Sequence, residues 1–323
     1  MSAAEATGSS DIDPIWAEDG SHLPDWFVDA LAVPREEGFV TVEGAQIHYL
    51  RWGDRAKPGV LMAHGFLAHA RCWAFIAPLL AADYHVVAYD LAGMGDSDAR
   101  AGIDGDGRGR EMIAVAEATG LFDGDAPPVI IGHSFGAGVA VTAMTIAAER
   151  FAGAIICDLM IMRPEALAAY WRGGRGSPGS GDANKPTSRY PDYPTARARY
   201  VLAPPQPAGQ PFLLDYMAYH SLRRDGDAWT WKFSPAVFAR GNSADEWMTM
   251  GRRVAAAPGR LAIVYGGHSA LFGSDSAAYL RELGAGTIPI VAVPNARHHL
   301  MLDEPLAFAT ALRSILALWR SAR

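Results

Sequence analysis

The sequence has little cysteine, no long apolar run and no basic cluster, and each absence argues against a class of protein. Cys72 and Cys157 are the only cysteines among 323 residues, too few for a disulfide scaffold, and no cysteine–histidine spacing predicts a zinc site. No run of about 18 apolar residues occurs, so no transmembrane helix is expected. The 28 Lys and Arg residues against 35 Asp and Glu give a formal charge of −7, which argues against a nucleic-acid partner.

What the sequence does contain is typical of a globular protein with a sizeable core. Half of the residues are hydrophobic and a fifth are charged. The opening residues, MSAAEATGSSDIDPIW, carry acids and no apolar segment, so no secretory signal is predicted. We therefore expect a cytoplasmic protein, and the composition leaves its oligomeric state open.

Short apolar runs without polar alternation recur along the chain and predict buried strands. These runs are Val60–Ala63, Val86–Tyr89, Val129–Ile131, Ala154–Cys157, Leu261–Tyr265 and Ile288–Val293. Before them, Phe39–Val42 and Ile47–Trp52 predict a hairpin around a Glu43-Gly44 turn. Helical periodicity lies between the runs, for example over 73–80 and 308–319. Strands that alternate with helices indicate an α/β fold with a mostly parallel, doubly wound sheet.

One segment interrupts this alternation. Residues 163–242 contain a stretch rich in glycine, serine and proline, followed by aromatic and helical segments, and are too long for a structureless loop. We interpret the segment as an inserted, mostly helical cap. The predicted organisation is therefore a tail or strap over 1–37, a core domain made of 38–162 and 243–323, and the cap between its two parts.

The strongest signal for chemistry is Gly132-His133-Ser134-Phe135-Gly136, a G-x-S-x-G motif. It follows a predicted strand and opens a helix-like run, as a nucleophile on a strained strand-to-helix turn requires. The glycines are explained because side chains at the flanking positions would clash, and the helix N-terminus favours developing negative charge. Ser134 is the predicted nucleophile.

At Ala63-His64-Gly65-Phe66, after an earlier strand, the chain resembles the α/β-hydrolase superfamily, in its serine-nucleophile, cap-containing branch. The resemblance extends from about Gly38 to Ala322. It implies that the backbone N–H groups of Phe66 and Phe135 form an oxyanion hole. His64 is interpreted as a structural residue bonded to backbone. Asp90–Asp98 resembles the family's D-x-x-G-x-G-x-S turn, which is also structural and predicts no nucleotide site.

The same resemblance identifies a histidine near the C-terminus. Pro294–Pro305 is similar to the family's final loop, G-H-x-x-x-x-E-x-P in many members, and alignment on Pro305 places His298 at the catalytic position. Arg297 replaces the usual glycine, and His299 is the alternative histidine. The order of serine, acid and histidine along the chain fits this family.

The acid departs from the commonest family pattern. Many relatives carry an aspartate in G-x-x-D or G-x-x-x-D after the strand at 261–265, but this chain has Ser269 and Ala270 there, which cannot stabilise an imidazolium as a carboxylate does. Some members place the acid after the preceding strand. Asp158 lies 24 residues beyond Ser134 and is the predicted acid. Asp275, which has the pattern of a helix N-cap, is the alternative.

Aromatic side chains of the cap are predicted to form an apolar slot for the substrate, although packing of the cap on the core is an alternative explanation for them. The candidates are Trp171, Tyr216, Tyr219, His220 and Trp229, and the same aromatic set includes Tyr170 and Trp231. No role is assigned to His268.

Together these features predict a serine hydrolase that needs neither metal nor cofactor and cleaves an ester or lactone of a hydrophobic or aromatic small molecule through an acyl-enzyme. Epoxide hydrolases and dehalogenases of the superfamily use an aspartate as nucleophile, so Ser134 argues against both. Hydrolysis of a C–C bond, cofactor-independent oxygenation and non-catalytic binding of a small molecule remain as alternatives. The substrate's identity and stereochemistry stay open.

Overall fold

A computed structural model describes residues 23–100, 102–172, 181–239 and 244–321. Within these ranges, strands form an eight-stranded sheet and a separate three-stranded sheet. The strands are β1 Arg35–Val42, β2 Ala45–Trp52, β3 Gly59–Ala63, β4 His85–Tyr89, β5 Val129–His133, β6 Gly153–Cys157, β7 Arg189–Tyr190, β8 Leu222–Asp225, β9 Ala228–Trp231, β10 Leu261–Gly266 and β11 Ile290–Val293. The α-helices are α1 Asp25–Ala32, α2 Gly105–Ala118, α3 Phe135–Ala147, α4 Pro164–Arg172, α5 Tyr193–Arg197, α6 Pro211–His220, α7 Ala244–Ala256, α8 Ser274–Glu282, α9 Leu300–Asp303 and α10 Pro305–Ser321.

The large sheet has the strand order β1-β2-β4-β3-β5-β6-β10-β11. It is parallel from β4 to β11, while β1 and β2 run antiparallel at one edge. Every residue of β3, β4, β5 and β6 is buried, as expected of strands covered on both faces. The six predicted apolar runs coincide with the six parallel strands, and the predicted α/β fold is confirmed.

The order of the strands switches direction at β3. The chain passes from β3 to β4 on one side, whereas β5 lies on the other side of β3. At such a switch point a crevice forms outside the carboxyl ends of the strands, and ligands bind there. The segments that follow β3 and β5, which begin at His64 and Ser134, therefore meet at one place.

The segment before the sheet packs on the core from Asp25 onward. Helix α1 buries Phe27 and two further apolar side chains, and β1 begins at Arg35, within the predicted tail or strap. Residues 1–22, the greater part of the predicted tail or strap, lie outside the described ranges. The predicted hairpin turn is present, because Glu43 and Gly44 have φ values of 47° and 85°, which suit a two-residue turn between twisted strands.

The predicted helix over 73–80 is wrong. Two short 3₁₀ turns, Ala70–Trp73 and Ala77–Leu79, occupy this region instead. Pro78 is one reason, because it has no N–H for a helical hydrogen bond. The stripe over 308–319 lies on α10 as predicted. None of the described helices is long and apolar enough to cross a membrane.

The segment predicted as a cap contains α4, α5 and α6 together with the three-stranded antiparallel sheet, whose order is β7-β9-β8. It is therefore less helical than predicted. Strands β8 and β9 pair as a hairpin, and Gly226 supplies the left-handed φ of 64° that their turn needs. Residues 173–180 of the glycine-rich stretch lie outside the described ranges.

A buried carboxylate, Asp90, fixes the loop that follows β4. Its oxygens accept hydrogen bonds from the backbone N–H of Ala70 at 2.5 Å and of Asp96 at 2.9 Å, and lie 2.7 Å from Nδ1 of His48. Nε2 of His48 lies 2.9 Å from Glu37. Burial lowers the pKa of His48, but the hydrogen bonds to Asp90 and Glu37 outweigh it and raise the pKa to about 9. These bonds give the D-x-x-G turn a structural role.

We expect the free energy of unfolding to fall as the pH rises from 6.5 to about 9. In this window the folded chain keeps the proton on His48, whereas the unfolded chain has released it, so the proton's contribution to stability is complete below pH 6.5 and is lost by pH 9. The change amounts to about 1–3 kcal/mol. Urea unfolding of the wild type and of His48→Gln across this pH range measures it.

The matched control is His85→Gln. Burial lowers the pKa of His85 to about 4, so its titration alters stability only below pH 6.5. This variant should keep the alkaline decline. A decline of the same size in His48→Gln would contradict the assignment to His48.

Candidate active site

Ser134 lies on the sharp turn between β5 and α3. Its φ is 53°, in the left-handed region, and its backbone N–H donates to the Cys157 carbonyl at 2.8 Å. Glycine is required on both sides. A Cβ on Gly132 would lie 2.4 Å from the Gly136 carbonyl oxygen, and a Cβ on Gly136 would lie 2.5 Å from the His64 carbonyl oxygen. The predicted motif therefore forms a strained, closely packed turn, which is the backbone geometry expected at a nucleophile of this kind.

The two predicted oxyanion donors lie beside this turn. Phe135 begins α3, so its N–H has no acceptor within the helix. Phe66 follows Gly65, where a Cβ would lie only 3.4 Å from Cβ of Ser134. Within the described part of the chain, the backbone N–H groups of Phe66 and Phe135 donate no hydrogen bond. Both N–H groups are thus available to a ligand.

His64 makes hydrogen bonds with backbone groups near the Ser134 turn. Its ring is fully buried, Nδ1 donates to the Gly65 carbonyl at 2.7 Å, and Nε2 accepts from the Leu91 N–H at 3.0 Å. Burial lowers the pKa of His64, which keeps the ring neutral. These backbone bonds agree with the predicted structural role.

Asp158 follows β6, the neighbour of β5, and its carboxylate faces His298. Oδ1 lies 2.9 Å from Nδ1 of His298, and the two side chains are 0% and 3% exposed. The φ of Asp158 is 46°, a left-handed value that aspartate tolerates better than most residues. Its N–H donates to the Val264 carbonyl of β10 at 2.8 Å. The fold thus joins the predicted acid to the predicted histidine, which lies 140 residues further along the chain.

Two further donors hold the Asp158 carboxylate. The Gly266 N–H donates to Oδ2 at 2.7 Å, and the Ser269 hydroxyl donates to Oδ1 at 2.6 Å. Sequence reasoning missed Ser269, although the signal was a hydroxyl at the G-x-x-D position where an acid was expected. Asp275, the alternative acid, lies in the first turn of α8 with an exposed carboxylate that is 3.3 Å from Arg163.

Two more histidines pack against His298. Nε2 of His133 donates to the His298 carbonyl at 2.8 Å, and the two ring centroids are 4.8 Å apart. Burial, with the proximity of His298, lowers the pKa of His133 to about 3. Burial also lowers the pKa of His299 well below its ordinary value. One nitrogen from each of the three rings lies within 4.8 Å of the others, so these residues could hold a metal ion.

A cavity of about 910 Å³ is lined by Ser134 and His298. Its wall combines core residues with residues of the inserted segment, and most of the lining side chains are apolar. Within the described ranges, the Ser134 hydroxyl makes no hydrogen bond to His298. Contacts of this kind commonly tighten only when substrate binds.

The cavity wall corrects part of the prediction of substrate-binding aromatics. Tyr170 and Trp231 line the cavity, whereas the other predicted side chains do not, namely Trp171, Tyr216, Tyr219, His220 and Trp229. Met217 of α6 and Ser221, the residue that caps the C-terminus of this helix, both line the cavity, because these residues are four apart and share one face. Tyr216 lies on another face and packs against Phe27, with ring centroids 5.5 Å apart. Its aromatic surface therefore stabilises the core rather than a ligand.

A profile of the Alpha/beta hydrolase family matches residues 60–311, more than half of the chain. The chain belongs to this family. The α/β hydrolase is 34% identical over 119 residues to Epoxide hydrolase A of Mycobacterium tuberculosis, a match that covers 36% of each chain. It is 30% identical over 112 residues to Lipase LipV of the same organism, which covers 35% of this chain and 41% of the lipase. The chain thus spans well under half the length of either curated relative.

Among solved structures, this α/β hydrolase is similar to a thioesterase domain from the curacin biosynthetic pathway. The TM-score is 0.67 at 23% identity, over 86% of this chain and 98% of the thioesterase domain. An identity of this size shows the shared fold, and the reaction has to be argued from the site.

Two glycines of α3 should respond in opposite directions to replacement by alanine. In Gly136→Ala the new Cβ would lie 2.5 Å from the His64 carbonyl oxygen and 2.6 Å from that of Ala63, both in backbone that cannot yield easily. We expect a loss of about 1–3 kcal/mol in the free energy of unfolding. Urea denaturation measures the change.

Gly138→Ala is the matched control on the same helix. The nearest heavy atom to its Cβ would be Cε of Met250 at 3.6 Å, an ordinary contact. Alanine should stabilise the helix by about 0.5–1 kcal/mol relative to glycine. Equal effects in the two variants would show that close approach at Gly136 is not what requires glycine.

Proposed function

We propose that this α/β hydrolase cleaves an ester or lactone of a hydrophobic or aromatic small molecule by serine catalysis without a cofactor. The observation that carries the proposal is the 2.9 Å hydrogen bond between Asp158 and His298, formed beside a serine on a left-handed turn. A carboxylate on Nδ1 keeps Nε2 as the basic nitrogen and stabilises the imidazolium that forms when Nε2 takes a proton.

In the first half-reaction Ser134 Oγ attacks the carbonyl carbon of the substrate while Nε2 of His298 accepts the hydroxyl proton. The N–H groups of Phe66 and Phe135 donate hydrogen bonds to the oxyanion of the tetrahedral intermediate. The intermediate then breaks the bond to the leaving group, whose oxygen receives the proton from His298. The acyl group remains as an ester on Ser134.

In the second half-reaction water attacks the acyl ester and gives a proton to Nε2 of His298. Collapse of the second tetrahedral intermediate returns that proton to Oγ of Ser134 and releases the carboxylic acid. Asp158 stays ionised throughout and holds the ring in place.

The cavity supports a hydrophobic substrate. Its volume of about 910 Å³ lies within the range of about 300–1,000 Å³ that is typical of small-molecule pockets, and its lining is mostly apolar. Burial of apolar substrate surface there would supply most of the binding free energy.

The partial likeness to Epoxide hydrolase A does not favour epoxide opening. The resemblance assigns an aspartate nucleophile to that branch, and this chain carries Ser134 at the position. A serine produces an acyl ester from a carbonyl substrate, which His298 and water can hydrolyse. Ester or lactone hydrolysis is therefore the better match to these residues.

Ser134→Ala should abolish hydrolysis. We expect the wild type to hydrolyse p-nitrophenyl esters and the variant to lose at least about 10³-fold in kcat/KM, because no nucleophile remains. A fluorophosphonate probe should label the wild type and leave the variant unlabelled. Ser314→Ala, an exposed serine of α10, is the control and should match the wild type. Equal rates in the Ser134 variant and the wild type would refute the proposal.

We expect that a carboxylate at position 269 can replace the one at position 158 as the acid of the triad. Asp158→Asn should lower kcat by about 10³–10⁴-fold, because an amide cannot stabilise the imidazolium. Ser269 Oγ lies 2.6 Å from the carboxylate oxygen that contacts His298, so a carboxylate introduced at this position should reach nearly the same place. The double variant Asp158→Asn with Ser269→Asp should recover at least about 10-fold, equivalent to ~1.4 kcal/mol.

The single variant Ser269→Ala, with Asp158 unchanged, measures what the Ser269 hydroxyl contributes to kcat. It removes one charge-assisted donor and should lower kcat by about 10-fold. Ser274→Ala, at an exposed serine in the first turn of α8 that does not line the cavity, is the control and should have little effect. A double variant no faster than Asp158→Asn alone, with both folded by circular dichroism, would contradict the exchange of the acid between loops.

A further inference from the structure

Three imidazole rings meet on the wall of the cavity, and the proposed mechanism uses only one of them. His133, His298 and His299 all line the cavity. Their ring centroids are separated by 4.8 Å between His133 and His298, 4.9 Å between His298 and His299, and 5.8 Å between His133 and His299. One nitrogen from each ring lies within 4.8 Å of the other two.

The rings of His298 and His133 each donate a hydrogen bond from one nitrogen, which leaves a lone pair on the other nitrogen. Nδ1 of His298 donates to the Asp158 carboxylate at 2.9 Å. Nε2 of His133 lies 2.8 Å from the His298 carbonyl, which can only accept, so this nitrogen carries the hydrogen. A neutral imidazole that donates from one nitrogen has an unprotonated second nitrogen. Each ring thus offers one ligand atom.

His299 follows the same pattern. Its ring is oriented by the backbone carbonyls of Ala203 and Pro204, and its buried Nε2 has no hydrogen-bond partner among the residues that the structure describes. A buried polar atom without a partner costs free energy that a ligand would recover. Metal-binding histidines typically donate their second nitrogen to a carboxylate or a backbone carbonyl, which is the arrangement of these three rings.

We propose that His133, His298 and His299 form a binding site for a divalent transition metal ion of the zinc or copper class. Imidazole nitrogens are the ligands that such ions share, and three of them with an open fourth position make a tetrahedral site. Zinc–nitrogen bonds of about 2.0–2.1 Å place tetrahedral ligands about 3.3 Å apart. The three nitrogens lie within 4.8 Å of one another, so metal binding requires them to approach by up to about 1.5 Å.

Metal at this site and turnover exclude each other. The ion would occupy the Nε2 lone pair of His298, the same lone pair that the proposed mechanism uses as the base. It would also lie in the cavity next to Ser134, where substrate binds. This second consequence rests on the proposed function, whereas metal binding itself does not.

Binding is tested on the full chain, free of affinity tag and stripped of metal with a chelator. We expect one Zn²⁺ per chain by isothermal titration and the visible absorption of tetrahedral Co²⁺ when Co²⁺ is added. His299→Gln and His133→Gln should each weaken Zn²⁺ binding by at least about 10-fold and remove the Co²⁺ spectrum. Because His133 is buried, His299→Gln decides the matter if the His133 variant does not fold.

His268→Gln is the matched control. His268 also lines the cavity but lies outside the three-histidine cluster and is exposed, so this variant should bind Zn²⁺ as the wild type does. The proposal is overturned if the wild type binds no Zn²⁺, or if His299→Gln binds Zn²⁺ as tightly as the wild type.

Labelling of Ser134 separates this proposal from the proposed function. Saturating Zn²⁺ should protect the wild type from a fluorophosphonate, and the protection should be lost in His299→Gln at the same Zn²⁺ concentration. A wild type that binds Zn²⁺ but is never labelled would refute the serine mechanism and leave the metal site standing. Labelling that proceeds undiminished with Zn²⁺ bound would overturn the proposed exclusion.

Discussion

The site depends on how one buried charge, the carboxylate of Asp158, is satisfied. A carboxylate that is 0% exposed is costly unless donors replace the water it has lost. Here the Gly266 N–H, the Ser269 hydroxyl and the His298 ring act as these donors. They come from the last residue of β10, the loop after β10 and the loop after β11, so forming the bonds also fixes these segments against the end of β6. The same interactions stabilise the fold locally and orient the imidazole.

The parallel sheet brings the remaining groups to this carboxylate. Two adjacent strands, β5 and β6, are each followed directly by a residue with left-handed backbone, Ser134 and Asp158. Such conformations cost free energy, and the surrounding structure has to hold them. The N–H of Ser134 donates to Cys157, and that of Asp158 donates to Val264, so the ladder of sheet hydrogen bonds continues past both strand ends. This support lets the chain turn sharply without releasing the backbone.

The property that makes His298 a suitable base also makes it a suitable ligand. A carboxylate on Nδ1 fixes the tautomer and raises the electron density at Nε2, and both proton transfer and metal coordination use that lone pair. His133 and His299 place two more imidazoles around the same point. We infer that the packing which orients the base also creates a competing use for it.

Local sequence determined a large part of this protein. Each parallel strand is a short apolar run, and G-x-S-x-G is a contiguous motif between a strand and a helix, so both can be recognised from neighbouring residues in the sequence. The α-helix expected over 73–80 does not form, and Pro78 is one reason because it interrupts the helical hydrogen bonds. The choice of Asp158 came from its spacing to the nucleophile and from the family resemblance.

Only the tertiary structure decided which side chains meet across the site. Ser269 contacts Asp158 although 111 residues separate them, because β6 and β10 are neighbours in the sheet, and no periodicity encodes that pairing. The cavity wall was decided in the same way. Aromatic composition predicted Tyr216 as a wall residue, but the packing of α6 turns it towards the core and presents Met217 instead. Composition records which side chains exist, whereas the face that a helix presents is set by its contacts with the rest of the molecule.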